Sequence, residues 1–392
     1  MTRTVLLGDV CQINPTTILK KGSLSKFVSM DKLDPFKRKI NGFEERVYSG
    51  GSKFVNGDTL LARITPCLEN GKTAYVDILA DDEIGAGSTE FIVLRAIDGT
   101  TDSDYLYYLS ISSSFRDYAI QAMIGTSGRQ RVQNDVLARY EFELPDIDTQ
   151  QKIGEQLRTI DEKIELNRKM NETLEQMGQA LFRHYFIGNP EAKKWDSVKV
   201  GDVLAELQSG SRPRGGALES GIPSVGAENI DGLGEYDYSK EKYISEEFFN
   251  NLKRGKIQSE DVLLYKDGAY VGKKSLFMDD FPHKVAAVNE HVFILRTNET
   301  LNSQFYLYFW LDQPSITKKI ISAGVKAAQP GINQTNVNSL PILSPPRDTV
   351  MEFDIKIRPI MRKIFANANE SKALTTLRDT LLPRLISGKV KL

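Results

Sequence analysis

Apolar residues, interrupted by two asparagines and a glycine, recur at alternating intervals of four and three along residues 153–185, in a chain that is otherwise rich in glycine and β-branched residues. This spacing is a heptad pattern, which predicts one long helix with a narrow apolar seam. Adding 200 to each position yields a second seam along residues 353–385. The two seams contain Ile153, Leu157, Ile160, Ile164, Asn167, Leu174 and Leu181, and then Phe353, Ile357, Ile360, Ile364, Asn367, Leu374 and Leu381.

The repeat extends beyond the seams. From Pro145 to Gly188, 11 of 44 positions are identical at the offset of 200. Upstream, "GDTLLARITPCLENGK" (57–72) resembles "EDVLLYKDGAYVGK" (260–273), and "TEFIVLR" (89–95) resembles "EHVFILR" (290–296). Such self-similarity predicts two copies of one unit, each a strand-rich domain followed by a helix.

A long helix with a narrow apolar seam cannot bury that seam by itself. The two helices are therefore expected to pack on each other as an antiparallel coiled coil, because a pseudo-twofold relation between the copies favours that direction. The alternative is that each helix packs on its own domain. The asparagines within the seams are interpreted as fixing the register.

The predicted fold class is α+β, with two strand-rich domains related by an internal repeat and joined by the two long helices. The predicted boundaries are residues 1–147 for the first domain, 148–188 for the central helix, 189–196 for a linker, 197–347 for the second domain and 348–392 for the C-terminal helix.

Composition narrows the possible classes of protein. Forty per cent hydrophobic residues suffice for real cores, and a net charge of −1 argues against a uniformly basic surface while allowing local basic patches. Cys11 and Cys67 form neither a disulfide framework nor a CxxC pair, so a cytoplasmic location is expected. No apolar run approaches 18 residues, so no membrane span is expected.

Motifs that could indicate an enzyme are weak. "PCLENGKT" (66–73) carries Pro66 where a phosphate loop needs its first glycine, and "GAGS" (85–88) is interpreted as a turn. Pro145-Asp146 with Asp161 and Lys163 spells a nuclease-like pattern, but residues 161 and 163 lie about 200° apart on a helix and are interpreted as solvated charges. The three histidines lack metal-ligand spacing. No catalytic residue and no metal ligand is predicted.

The order of domain, helix, domain, helix resembles the specificity subunit of type I restriction–modification systems. Local patterns carry the same resemblance, namely "GDTLLARI", "YLYYL" (105–109), "GTSGRQRVQ" (125–133), "GVKAAQPGINQ" (324–334) and the closing "LRDTLLPRLISGKV" (377–390). The usual Glu-Gln pair at the helix entry is replaced by Thr149-Gln150 and Thr349-Val350.

The resemblance implies that each strand-rich domain reads one half-site of an asymmetric, bipartite DNA target. It also implies that the helices dock two modification subunits, which carry S-adenosylmethionine, and that a motor-nuclease subunit with ATP and Mg²⁺ can join. The chain itself would then be non-catalytic and without a cofactor. Two alternatives are a coiled-coil scaffold that binds only proteins, and the recognition half of a fused restriction–methylation enzyme.

Under this resemblance, polar and basic side chains on flexible stretches are the candidate DNA contacts, because such side chains bind phosphates and base edges. The candidates in the first domain are Lys37, Arg38, Thr126, Ser127, Arg129, Gln130 and Arg131. Those in the second domain are Arg212, Arg214, Lys253, Arg254, Lys256, Lys266 and Lys273.

Overall fold

The computed structural model describes residues 2–325 and 331–389. The chain divides into two compact units. The first unit comprises residues 1–165 and 373–392, and the second comprises residues 166–372. Each unit therefore holds one of the predicted strand-rich domains together with part of both long helices.

The first unit is built on a strand pair and two four-stranded sheets. Antiparallel strands β1 and β10 form the pair, one sheet has the order β2-β9-β6-β7, and the other has the order β4-β3-β8-β5 with β3 and β8 parallel. The strands are β1 (Arg3–Leu6), β2 (Cys11–Ile13), β3 (Leu24–Val28), β4 (Glu44–Val47), β5 (Ser52–Phe54), β6 (Thr59–Ala62), β7 (Thr73–Tyr75), β8 (Gly85–Gly87), β9 (Phe91–Ala96) and β10 (Glu141–Leu144).

Short helices cover this sheet framework, and a long helix follows it. The helices are α1 (Leu7–Val10), α2 (Ser103–Ile111), α3 (Ser113–Gln121), α4 (Asn134–Ala138) and the long α5 (Ile147–Phe182). Helix α2 begins at an N-cap Asp102, whose carboxylate accepts a hydrogen bond from the Tyr105 amide. It carries the "YLYYL" segment, which is fully buried in the core.

The second unit repeats the same plan. Its strand pair is β11–β19, its four-stranded sheet has the order β12-β18-β15-β16, and its three-stranded sheet has the order β14-β13-β17, with β13 and β17 parallel. The strands are β11 (Asp196–Lys199), β12 (Leu204–Ser209), β13 (Ile222–Val225), β14 (Tyr243–Ile244), β15 (Asp261–Tyr265), β16 (Lys274–Phe277), β17 (Ala287–Val288), β18 (Val292–Thr297) and β19 (Pro341–Ser344). The helices are α6 (Glu246–Asn251), α7 (Gln304–Asp312), α8 (Pro314–Val325), α9 (Gln334–Asn338) and α10 (Arg347–Ile386).

The matching strand orders confirm the internal repeat. An ion pair to a buried aspartate recurs at the same place in each copy: Arg95 binds Asp58 in the first unit, and Arg296 binds Asp261 in the second. Each long helix begins one residue before its predicted start, at Ile147 and Arg347. Within the described residues, no helix combines the length and the apolar character needed to cross a membrane.

Candidate nucleic-acid interface

In the first unit, residues 125–130 form a loop held at its base. The backbone groups of Ile124 and Arg131 bond to each other at 3.1 and 2.9 Å, which closes the loop. Gly125 lies at φ +134°, and a side chain there would meet the Arg129 carbonyl oxygen at 3.1 Å. The loop therefore projects from a fixed base, with Thr126, Ser127 and Arg129 exposed and Gln130 half-buried.

Arg131 points back to the protein. Its guanidinium donates to both carboxylate oxygens of Glu90, with nitrogen–oxygen distances of 2.6 to 3.1 Å. These hydrogen bonds hold the pKa of the Glu90 carboxyl below its usual value. Arg131 thus differs from Arg129, whose guanidinium makes no ion pair with the described residues.

The structure corrects the prediction for Arg38. This side chain is only 5% exposed, forms an ion pair with Asp104 and lies over the ring of Tyr75, 3.7 Å from its centroid. A buried, paired guanidinium cannot reach a phosphate, so Arg38 does not belong to the candidate DNA contacts. Its neighbour Lys37 is exposed, 3.3 Å from the Asp34 carboxylate.

In the second unit, an open groove of about 930 Å³ collects polar side chains. It contains the cations Arg254 and Lys266 and the amides of Asn333, Gln334 and Asn336. Amide and guanidinium groups are the ones that read base edges. The remaining lining residues are Ser209, Asp267, Phe293, Ala323, Gly331, Ile332 and Thr335.

The groove's amides are fixed by local hydrogen bonds. Asn333 and Asn336 form a reciprocal capping box at the start of α9, in which each side-chain oxygen accepts the other residue's amide, at 3.0 and 2.9 Å. Gln334 Nε2 donates to the Leu207 carbonyl at 2.9 Å. The groove's wall is therefore preorganised.

The predicted second-unit cations divide into three groups. Arg214, Lys253 and Arg254 are exposed and make no ion pair within the described residues. Arg212 is exposed but lies 3.8 Å from Glu290. Three lysines are engaged: Lys256 donates to the Asn250 carbonyl, Lys273 binds Asp231 at 3.2 Å, and Lys266 lies over the Phe293 ring.

Asn333, Gln334 and Asn336, which line the second-unit groove, were not among the DNA contacts predicted from the sequence. A signal was available for Asn333 and Gln334, because both belong to the "GVKAAQPGINQ" segment (324–334) that carries the family resemblance. Residues 326–330, which belong to the "GVKAAQPGINQ" segment, lie outside the described residues.

The helix seams are buried or half-buried along their whole length. In the second unit, Asn167 Nδ2 lies 3.4 Å from the Asn367 carbonyl and 2.9 Å from the Glu370 carboxylate. Asn171 donates to the Ile364 carbonyl at 3.1 Å. The two helices therefore run antiparallel in the second unit, and Asn167 and Asn171 bond across the contact between them.

The helices also pack on the sheet domains, as the alternative prediction stated. In the first unit, Ile153 and Leu157 share a core with Tyr105 and Leu106 of α2 and with Leu382 and Leu385 of α10. In the second unit, Phe353 and Ile357 share a core with α7. Both expected contacts are therefore present in each unit.

The interpretation of Asp161 as a solvated charge is wrong. Its carboxylate is buried, accepts a hydrogen bond from the Tyr108 hydroxyl at 2.7 Å and binds the Arg378 guanidinium at 2.7 Å. The Arg378 side chain is buried as well. Asp161 therefore has a structural role, and local helix periodicity could not reveal its partner 217 residues away.

The phosphate-loop-like segment (66–73) and the "GAGS" segment (85–88) have structural roles too. Residues 66–72 lie between β6 and β7, and Thr73 begins strand β7 rather than a helix, so no helix N-terminus is available for a phosphate. The "GAGS" segment is not a turn: Gly85–Gly87 is the buried strand β8, and a side chain at Gly85 would overlap the Phe54 ring. Within residues 2–325 and 331–389, no group of His, Cys, Asp and Glu is placed to hold a metal ion.

The N-terminal half of α10 bears a second, apolar groove of about 460 Å³. Met351 and Ile355 line it although they are 54% and 68% exposed. The other lining residues are Leu301, Asn302, Arg347, Val350, Asp354, Arg358, Pro359 and Arg362. Exposed apolar side chains beside cations are typical of a surface that binds another protein.

Comparison with known proteins agrees with this duplicated architecture. The chain is 27% identical to the specificity subunit of the type I restriction enzyme HindI from Haemophilus influenzae, over 85% of this chain and 86% of that protein. It is 24% identical to the MjaIX specificity subunit of Methanocaldococcus jannaschii, over 74% and 69% of the two chains. The crystal structure of a type I restriction–modification S subunit from M. genitalium shares the fold, with a TM-score of 0.59, 14% identity and coverage of 98% and 96%. Residues 3–176 and 192–377 each match the type I restriction modification DNA specificity domain, and the chain therefore belongs to that family.

Proposed function

We propose that this chain is the DNA-recognition subunit of a type I restriction–modification complex and reads an asymmetric, bipartite target. The observation that carries the proposal is the pair of repeated domains with different polar surfaces. The first presents Arg129 on a closed loop, and the second presents Arg254 and Lys266 in a groove lined by amides. Two identical readers would select a palindrome, whereas two diverged readers can select unlike half-sites.

The chain itself would recognise the DNA sequence and would not catalyse a reaction. Methyl transfer and DNA cleavage would belong to partner subunits, together with S-adenosylmethionine, ATP and Mg²⁺. Support comes from the candidate catalytic motifs, whose residues are engaged in packing and in a buried ion pair.

Domain exchange tests the two-reader proposal. Residues 197–347 would be replaced by the matching domain of a relative, the chain would be expressed with its modification partner, and methylated sites would be mapped genome-wide. One half-site should change and the other should persist. A change in both half-sites, or in neither, would contradict the proposal.

Single substitutions test which surface reads DNA. Arg129→Ala should relax selection at one half-site and Arg254→Ala at the other, because each lost bidentate contact to a base costs about 1–3 kcal/mol. Exposed cations outside both surfaces, Arg139→Ala in the first unit and Lys363→Ala in the second, are matched controls. If only the control variants lost half-site selection, the surfaces around Arg129 and Arg254 would not be the ones that read DNA.

We further propose that the long helices dock two modification subunits, one of them in the α10 groove. Met351 and Ile355 would accept an apolar side chain, and Arg347 and Arg362 at the groove would favour acidic neighbours on the partner. The equivalent positions in the first copy are Gln151 and Glu155, so the first copy lacks this apolar pair.

Assembly measurements test the groove. Ile355→Asp should weaken binding of a modification subunit by at least about tenfold, since a charge would replace a buried apolar contact. Ile321→Asp, at an exposed isoleucine outside the groove, is the control. Equal stoichiometry and affinity for wild type and Ile355→Asp in analytical ultracentrifugation would exclude docking there.

A further inference from the structure

An ion pair lies at the base of the 125–130 loop in the first unit, and different residues occupy the equivalent positions in the second unit. Arg131 lies at the base of the loop and binds Glu90, which immediately precedes β9. Arg63 N donates to the Glu90 carbonyl at 3.0 Å, and in the second unit Lys266 N donates to the His291 carbonyl at 3.0 Å. His291 is therefore the structural equivalent of Glu90.

The same comparison identifies the other two equivalents. Bridges join Ile64 to Arg131 in the first unit and Asp267 to Gly331 in the second. Thus Ile64, Glu90 and Arg131 correspond to Asp267, His291 and Gly331. In the second unit the His291 ring bonds to the Asp267 carboxylate at 2.7 Å, and Gly331, which corresponds to Arg131, has no side chain that could bind it.

We propose that Glu90 and Arg131 form a pin that positions the 125–130 loop, and thereby determines first half-site specificity, without contacting DNA. This inference rests on the proposed function and deepens it. Three features of the site support a positioning role for Arg131. Its guanidinium engages both Glu90 oxygens, its Nη1 approaches the Arg129 carbonyl at 3.4 Å, and its backbone closes the loop.

Among the residues that the structure describes, the other hydrogen bonds of the 125–130 loop join backbone groups. Gln130 O accepts from Thr65 N at 3.0 Å, and Arg129 N donates to Thr126 O at 3.0 Å. Neither bond fixes a side chain. A two-point contact between a planar guanidinium and a carboxylate restricts orientation as well as distance, so the pin can set the direction in which Arg129 leaves the loop.

Substitution of Glu90 separates positioning from direct contact by the sign of its effect. If Arg131 bound phosphate, Glu90 would compete with DNA, and Glu90→Gln would leave binding unchanged or tighten it. With Arg131 as a pin, Glu90→Gln should weaken binding of the methylating complex to its target duplex by about three- to tenfold, and half-site selection should broaden. Glu83→Gln, which breaks the separate Lys26–Glu83 pair, is the matched control and should have no effect.

Salt dependence and a charge exchange complete the test. Arg131→Ala should weaken binding without changing the slope of log K against log salt, whereas loss of a phosphate contact would reduce that slope by about 1. The exchange variant Glu90→Arg/Arg131→Glu should recover first half-site selection that either single variant loses. Persistent selection of the second half-site reports that each variant is folded.

The outcomes distinguish the two proposals. Tighter binding by Glu90→Gln, a reduced salt slope in Arg131→Ala, or no recovery in the exchange variant would overturn the pin. If Arg129→Ala still alters the first half-site in that case, the proposed function stands. If the wild-type complex selects no bipartite site, the proposed function fails, and the pin fails with it.

Discussion

The buried ion pair between Asp161 and Arg378 tests how the C-terminal helix segment is held in the first unit. The two side chains are 6% and 8% exposed, and their nearest atoms are 2.7 Å apart. Arg378→Ala would leave the Asp161 carboxylate buried, with the Tyr108 hydroxyl as its remaining hydrogen-bond partner among the described residues. Removing one partner of a buried pair costs about 3–5 kcal/mol, a large share of the 5–15 kcal/mol that stabilises a typical domain.

The second unit contains an apolar version of the same layer. At the positions equivalent to Asp161, Arg378 and Tyr108 it has Met361, Gly178 and Phe309. The Phe309 ring fills the space beside Gly178, where an added Cβ would lie 2.7 Å from the ring. A buried polar layer and a packed apolar layer therefore occupy the same position in the two copies.

Introducing the apolar residues of the second unit into the first unit tests this estimate of the cost of burying an unpaired charge. The triple variant Asp161→Met/Arg378→Gly/Tyr108→Phe removes all three polar groups together, and replacing a buried ion pair by packed apolar groups is often neutral. Glycine in a helix costs about 1 kcal/mol. The triple variant should thus lose less than about 2 kcal/mol, and less than Arg378→Ala alone.

Hydrogen exchange read by mass spectrometry measures both effects in the full chain. Peptides from 147–165 and 373–386 should lose protection in Arg378→Ala and largely regain it in the triple variant. Both tryptophans, Trp195 and Trp310, lie in the second unit, so urea unfolding followed by their fluorescence is an internal control. A triple variant at least as unstable as the single variant would refute the reasoning that charge burial sets the cost.

Two further predictions concern the second unit. Gly178→Ala should lower the free energy of unfolding by about 1 kcal/mol, because crowding of Phe309 exceeds the gain in helix propensity. The control Gly188→Ala should be neutral or stabilising, because its Cβ would meet only the Arg183 carbonyl at 3.5 Å. Equal unfolding midpoints for the two variants, measured by tryptophan fluorescence, would contradict this prediction. Burial raises the pKa of Asp354 to about 6, so the native state keeps a proton that the unfolded state has lost, and stability should fall as pH rises from about 4 to 6. Asp354→Asn should reduce that decline, and an unchanged pH profile would show that this carboxyl does not cause it.

The sequence alone determined the duplicated plan and the helix seams. Heptad spacing is a local property, because each seam position depends on neighbours three and four residues away. The offset of 200 then related the copies without any knowledge of contacts. The seam asparagines were interpreted as fixing the register, and the structure joins Asn167 to Asn367 across the helix contact at 3.4 Å.

Only the tertiary structure decided which charged side chains are exposed and free of an ion pair, and could therefore contact DNA. Arg38 and Arg131 look alike in sequence as members of basic stretches, yet one is buried against Asp104 and the other is bound by Glu90. The sequence predicted Asp161 to be a solvated charge, whereas in the structure it is buried in an ion pair with Arg378. Each outcome depends on a partner 41 to 217 residues away along the chain. Burial and pairing of a charge are set by such distant neighbours, and no local pattern of residues contains them.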